Sequence, residues 1–308
     1  MDVRDKKLPN NYTKAVAFMI LSGACFGIGS LFIRLAGPEI PPLQKAFFRS
    51  LVVLSISLTI LLKKKEPLKY ELPLWLLLVL RSLVGIAGMM LNYLALDRIP
   101  IADASILLKL APFFAIVFSF LVLKEKVTAL QFAMIVAAIV GTVFVAHPWL
   151  ETPIGNLEPQ PLDYGIAILG AAAAGFAYTL VRKLGTSGLD KDFLVFFFAA
   201  FSVVVIAPKM LLDFYPMQIQ QYIYLLFAGI FAAGGQYGMT YAYSLAPAKN
   251  ISIFDYSQVV ISAILSALVL GEFPHPVNYI GYVIIFLAAF TLFKVNQKAG
   301  EGRVYEGD

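Results

Sequence analysis

Apolar runs of about 20 residues return again and again along this chain, and that recurrence limits what it can fold into more than any motif does. A run of that length crosses a hydrocarbon core of about 30 Å as an α-helix. Inside lipid no water satisfies the peptide groups, so each crossing segment must close its own backbone hydrogen bonds, which a helix does and an open strand does not. One soluble globule cannot hide so much apolar side chain: 60% of the residues are hydrophobic and only 14% are charged, against about 25% charged in a typical soluble domain. The reading is an all-α integral membrane protein.

Apolar runs between charged or Pro/Gly breaks give ten candidate helices, at about 13–35, 43–62, 72–96, 101–123, 128–146, 162–184, 191–213, 220–244, 250–270 and 276–294. The first follows the polar segment MDVRDKKLPNNY, is too long for a signal peptide and lacks a small-residue cleavage pattern, so it is expected to remain as an anchor. Basic residues fall on alternate connections. Arg4, Lys6 and Lys7 precede the first span, Lys63, Lys64, Lys65 and Lys69 separate the second from the third, and Lys124 and Lys126 the fourth from the fifth. The connection HPWLETPIGNLEPQPLD carries no Lys or Arg. The positive-inside rule then predicts both termini in the cytoplasm of a multi-pass protein of the cytoplasmic membrane. It also accounts for the net charge of +5 without nucleic acid as a partner. The one cysteine, Cys25, excludes an intrachain disulfide and a thiolate metal cage.

Sliding the chain on itself by about 147 residues aligns ALDRIPIADAS with AYSLAPAKNIS and FSFLVLKE with LSALVLGE. Pro100, Ser105, Ser119 and Glu125 then fall on Pro247, Ser252, Ser266 and Glu272. Each half, 13–146 and 162–294, holds five spans, and an odd number forces the second copy to enter the membrane upside down. Inverted repeats of this kind build secondary transporters, with the substrate near the midplane where the halves meet. The expected fold is two inverted five-helix repeats around a central cavity, with one chain sufficient as a monomer.

The YLALDRIP end of helix 3, the ADASILLKLAPFF helix 4 ending in LKEK, and the matching SALVLGE of helix 9 resemble the EamA repeats of the drug/metabolite transporter superfamily. The resemblance covers nearly the whole chain. It implies a central cavity lined by helices 4 and 9 with 1, 3, 6 and 8, and cytoplasmic termini. Small four-helix relatives in that superfamily couple protons through a membrane glutamate in the first helix; here FMILSGACFGIGSLF has no acid.

Charges inside the spans are the candidate site. An ionisable side chain at the bilayer centre costs about 2.5 to 3.5 kcal/mol on insertion scales unless something answers it, and it usually marks a functional position. Lys109 lies about 10 to 12 Å below the outer boundary on a continuous helix, and Asp255 about 6 to 8 Å above the inner one, which leaves an axial gap near 12 Å. Lysine and aspartate arms do not close that gap unless a helix start is displaced by a turn. Arg81 is nearer to Asp255 in depth, so an Arg81 to Asp255 bridge is the leading bland reading. Lys109 is then without a protein acid: it either snorkels or bonds carbonyls, or it holds an anionic substrate group in a wet cavity. Asp103 sits off its face, at the outer edge. Arg34 and Arg49 are expected to snorkel. Tyr256 and Gln258 flank Asp255; Asn92, Tyr178, Gln236 and Tyr241 join them at compatible depths as candidate substrate contacts. Pro112 removes a hydrogen bond one turn past Lys109, which suits a kink.

The functional expectation is a secondary transporter, an exporter of a small polar metabolite that is amino-acid-like, anionic or zwitterionic. Its partners are that solute, the lipid bilayer, and a coupling proton or counter-solute. An organic-phosphate or organic-anion exchanger is the alternative, favoured by Arg49, Arg81 and Lys109 together; a non-transporting receptor or scaffold is the alternative of another class. An enzyme is not expected: the two histidines, His147 and His275, sit beside prolines in loops, and H-E-x-x-H spacing is absent. The Walker G-x-x-x-x-G-K-[ST] pattern is absent too, and no cofactor is implied.

Overall fold

A computed structural model describes residues 10–64, 71–123, 127–146, 159–185, 189–245 and 252–305. Eleven α-helices account for nearly all of them. They are α1 (Asn10–Leu35), α2 (Pro42–Lys64), α3 (Leu72–Leu96), α4 (Ile101–Leu108), α5 (Ala111–Leu123), α6 (Ala129–Ala146), α7 (Pro161–Gly185), α8 (Lys191–Leu212), α9 (Ile219–Leu245), α10 (Ser257–Leu265) and α11 (Pro276–Tyr305). A 3-10 turn, Ser252–Tyr256, leads into α10, and a π turn, Ser266–Leu270, leaves it. Local chemistry sets the ends. Gly37, at φ 98°, reverses the chain after α1, and Pro42 opens α2, where a missing N–H costs nothing. The Asp190 carboxylate caps α8 by accepting from the amides of Asp192 and Phe193.

Among the described residues, seven segments are long and apolar enough to cross a membrane, counting Ile101–Phe118 across the interruption between α4 and α5, and Ala129–Val145 and Phe254–Leu270 are shorter apolar helical stretches. The polarity is that of a protein solvated by lipid. Leu62, Leu72, Phe132, Val204, Leu211 and Leu268 project outward, while Lys45, Arg81, Asp103, Lys109, Glu272 and Asn278 are buried. Two expectations about length change: spans 4 and 9 are each divided, and the last helix continues beyond 294 to Tyr305. Pro247 and Glu125, two positions of the repeat alignment, lie outside the described residues.

Helix pairing follows the repeat. α1 runs along α9 and α7 along α3; α2 packs on α8, α6 on α11 and α4 on α10; α5 leans on α7 as α10 leans on α1. Exchanging the halves converts each of these pairs except α4 on α10 into another of the set or into itself. That is the contact pattern of a pseudo-two-fold bundle, with α4, α5 and α10 at its centre. The halves therefore meet through nearly every helix, and side chains on α4 and α10 face each other across the joint.

Candidate functional site

Both central helices are interrupted, and at matched positions. α4 stops at Leu108, Lys109 caps it at φ −71° and ψ 1°, and the chain turns through Leu110 before α5 begins. Pro112 is the cause: a proline offers no N–H to the Leu108 carbonyl. Lys109 and Leu110 instead donate three residues back, to Ile106 and Leu107, at 3.0 Å each. In the second half the 3-10 turn gives way to α10 between Tyr256 and Ser257. The repeat shift of about 147 places Lys109 on Tyr256 and Leu110 on Ser257, so the two discontinuities coincide.

Lys109 joins them. Its ammonium donates to Asp255 Oδ2 at 2.5 Å and to Gln258 Oε1 at 2.8 Å, and the residue is 5% exposed. The Arg81 to Asp255 bridge and the acid-free Lys109 of the sequence reading are therefore corrected. That reading counted depth from assumed helix starts at the membrane boundary, whereas Ile99 and Ile101 at the start of α4 are fully buried inside the bundle. The 3-10 turn carries Asp255 further along the axis as well, at about 2.0 Å per residue instead of 1.5. One turn away, Ser105 Oγ donates to Ser262 Oγ at 2.9 Å. Ser105 precedes Lys109 by four residues and Ser262 follows Gln258 by four, so both pairs stand on facing stripes of α4 and α10. That spacing was the available signal for two residues the sequence reading omitted.

Close helix approach holds this joint. A Cβ on Gly23 of α1 would lie 2.9 Å from the Gln258 amide nitrogen, and one on Gly175 of α7 would lie 2.6 Å from the Ala111 carbonyl oxygen. Each glycine lets a flanking helix sit directly against an interrupted one.

Arg81 belongs to a neighbouring cluster. It is buried, with Cζ 4.1 Å from the centroid of the Phe198 ring on α8. Tyr178 on α7 lies within electrostatic range of both Arg81 and Asp255, yet is 43% exposed. Arg49 does not snorkel clear of the bundle; it is half-buried and its Nη1 meets Met89 Sδ at 3.1 Å. Tyr256 packs edge-on against Phe286, with ring centroids 5.5 Å apart. Tyr241 stacks on Phe18 of α1. Asn92 on α3 and Gln236 on α9 are half-buried, and neither is a partner of Lys109. The structure thus gathers Lys109, Asp255 and Gln258 into one hydrogen-bonded group, with Tyr178 within electrostatic range of both Asp255 and Arg81, and leaves Asn92, Gln236 and Tyr241 outside it.

The end of the bundle away from the chain termini is held by polar contacts between the halves. Arg34, expected to snorkel, is instead bonded to the Leu96 carbonyl and paired with Glu272 at 2.6 Å, and Ser266 Oγ donates to the other Glu272 oxygen at 3.1 Å. Arg98 meets Asp163 at 3.0 Å, and within the first half Lys45 meets Asp97 at 2.5 Å. Asp103 is fully buried rather than peripheral: it accepts from Asn278 Nδ2 at 2.8 and 2.9 Å, from Tyr282, and from Tyr164 at 3.3 Å.

Known proteins can now be set beside this geometry. The model of the EamA-like transporter family matches residues 13–146 and again 163–294. The chain belongs to the EamA-like transporter family. Among its relatives, the pseudopaline exporter CntI of Pseudomonas aeruginosa is 25% identical over 92% of this chain and 96% of its own. The S-adenosylmethionine uptake transporter of Rickettsia prowazekii is 21% identical over 94% and 95%. A solved crystal structure superposes with a TM-score of 0.60 at 17% identity, covering 90% of this chain and 96% of that one, and so shares the fold. As an EamA-like protein the chain is a multi-pass membrane transporter of the drug/metabolite superfamily and not an enzyme, and its relatives carry small molecules.

Proposed function

We propose that the chain exports a small polar metabolite, anionic or zwitterionic, across the cytoplasmic membrane by alternating access, with both termini cytoplasmic. The two domains, 13–146 and 162–294, rock against each other, and a single chain is sufficient. The observation that carries this reading is the Lys109 to Asp255 pair, which ties together two helices that are both interrupted beside it. Interrupted helices supply free backbone groups, and an internal ion pair supplies charges that a cargo can take over.

A zwitterion fits this pair without leaving a charge bare. Its carboxylate replaces Asp255 on Lys109, its ammonium replaces Lys109 on Asp255, and one internal pair becomes two. A simple anion takes Lys109 but strands Asp255, which then needs a proton; anion movement through this site is coupled to protonation of Asp255. Gln258 holds Lys109 in place during either exchange. Export is favoured by the relationship to the pseudopaline exporter, while the uptake transporter among the relatives shows that the family serves both directions.

Flux into and out of proteoliposomes, measured with a panel of amino acids and organic acids, tests the reading. Lys109→Ala is expected to cut transport of every carried compound by at least about tenfold. Unchanged flux for all of them removes Lys109 from the site. The organic-anion or organic-phosphate exchanger remains the second reading because Arg81, buried in the bundle, and the half-buried Arg49 add positive charge to that of Lys109. Counterflow driven by phosphate loaded inside the vesicles would select it.

A further inference from the structure

Among the described residues, Arg34, Lys45 and Lys109 each face a carboxylate at 2.5 to 2.6 Å inside the bundle. Arg81 and Arg49 do not. Arg81 is 8% exposed, and its Nε and Nη1 are buried with no hydrogen-bond partner among the described residues. Arg49 meets the Met89 thioether, a weak acceptor, and no carboxylate among the described residues. The two guanidinium groups also feel each other's charge, which in a low-dielectric interior is repulsive. Phe198 supports the Arg81 plane from one side. Gly85, one turn along α3, keeps that place open: a Cβ there would stand 2.9 Å from Phe198 Cε2 and 3.6 Å from Arg81 Nη1.

A planar guanidinium with unused N–H groups, held over a ring and doubled by a second arginine, has the chemistry that binds carboxylate or phosphate through paired hydrogen bonds. We infer that Arg81 and Arg49 form a second anion-binding subsite, distinct from the Lys109 to Asp255 pair. Building on the function proposed above, this gives the cargo its charge pattern: a carboxylate for Lys109, an ammonium for Asp255, and a further anionic group for Arg81. With three cations against one acid, the site favours a solute of net negative charge over a neutral zwitterion.

The test uses the detergent-purified full chain, with thermal unfolding followed in malonate, glutamate, glutamine and chloride at equal ionic strength. Malonate and glutamate are expected to raise the melting temperature by several degrees over chloride, and glutamine by less. Arg81→Gln should remove the malonate response while the protein still elutes as a single species. If that variant does not fold, Arg49→Gln, at the half-buried position, is expected to raise the malonate midpoint concentration by about threefold or more. No malonate-specific shift in the wild type, or the same shift in both variants, overturns the subsite. A malonate shift that needs Arg81, in a protein that carries nothing in vesicles, would instead defeat the transport reading and leave the subsite standing. Flux that needs Lys109 but is indifferent to Arg81→Gln defeats the subsite alone.

Discussion

At the scale of single residues the decisive quantity is the charge balance of each buried group. Lys109 and Asp255 neutralise each other, and removing either strands the other at a cost of about 3 to 5 kcal/mol, whereas replacing both by apolar residues of similar size is close to neutral. Lys109→Met and Asp255→Leu are therefore each expected to lower the melting temperature in detergent, and the double variant to recover most of the loss. Additive losses would show that the two residues do not act as a pair. Asp103 presents a different case, because its donors Asn278, Tyr282 and Tyr164 are all neutral. Hydrogen bonds to a charged group are worth about 1.5 to 3 kcal/mol each. Asn278→Ala, which removes two contacts, is expected to cost about that much in a denaturant titration, more than the same change at an exposed Asn or Gln. Lys109 and Asp255 were legible in the sequence because a charge within an apolar span is conspicuous. Their pairing was not, since depth was counted from helix starts that the sequence gives only to within a turn. The roles of Asp103 and Arg34 were missed for a related reason. Both lie near span ends, where a charge normally reaches water, and only the packing of α7, α11 and the Glu272 segment around them removes that option.

At the scale of elements, the proposed function depends on two helices that do not run through. The sequence marked one of them, because Pro112 forbids a bond to Leu108 wherever that helix lies. The other has no proline at the matching place, Val259, and its 3-10 start follows from how Ser257 and Gln258 seat against Gly23 of α1. That contact is tertiary, so no local pattern announces it. Hydrophobic length did announce the spans, since lipid imposes it on each segment separately. Pro112→Ala separates the two requirements. It restores an N–H for Leu108 and is expected to leave stability unchanged or higher by up to about 3 kcal/mol. Transport should nonetheless fall, because a straight helix redirects Lys109 away from Asp255. Full flux combined with a higher melting temperature would show that the interruption is incidental. Gly23→Val is expected to reduce both, since its side chain meets not only the Ser257 hydroxyl but also the Gln258 backbone nitrogen, which cannot yield as a side-chain tip can.

At the scale of the whole molecule the informative feature is where the pseudo-symmetry fails. Most helix pairs have a counterpart of similar extent, but α2 lies along α9 over a longer stretch than α8 lies along α3. In an inverted repeat such a difference is what distinguishes one face of the membrane from the other, and interchanging the conformations of the halves yields the opposite state. The polar contacts agree in placing the closed end away from the termini. There Arg34 meets Glu272, Arg98 meets Asp163, Asp103 gathers donors from α7 and α11, and Gln44 bonds the Tyr215 backbone. In the alternating-access reading proposed above, opening that end breaks these bonds, so weakening one of them shifts the population. Glu272→Gln removes the charge from the Arg34 pair, and a loss of about 1 to 3 kcal/mol changes the ratio of states by about 5- to 150-fold. Spin labels at Pro38 and Phe273, both exposed at that end, report the separation once Cys25, the native cysteine, is replaced by Ala. Pulsed electron paramagnetic resonance on the wild type is expected to give a short distance as the main component. Glu272→Gln should add a longer one that grows further when Asp103→Asn is combined with it. Identical distributions in all three would mean that these bonds stabilise the fold without holding a gate, and that the asymmetry between α2 and α8 has another origin.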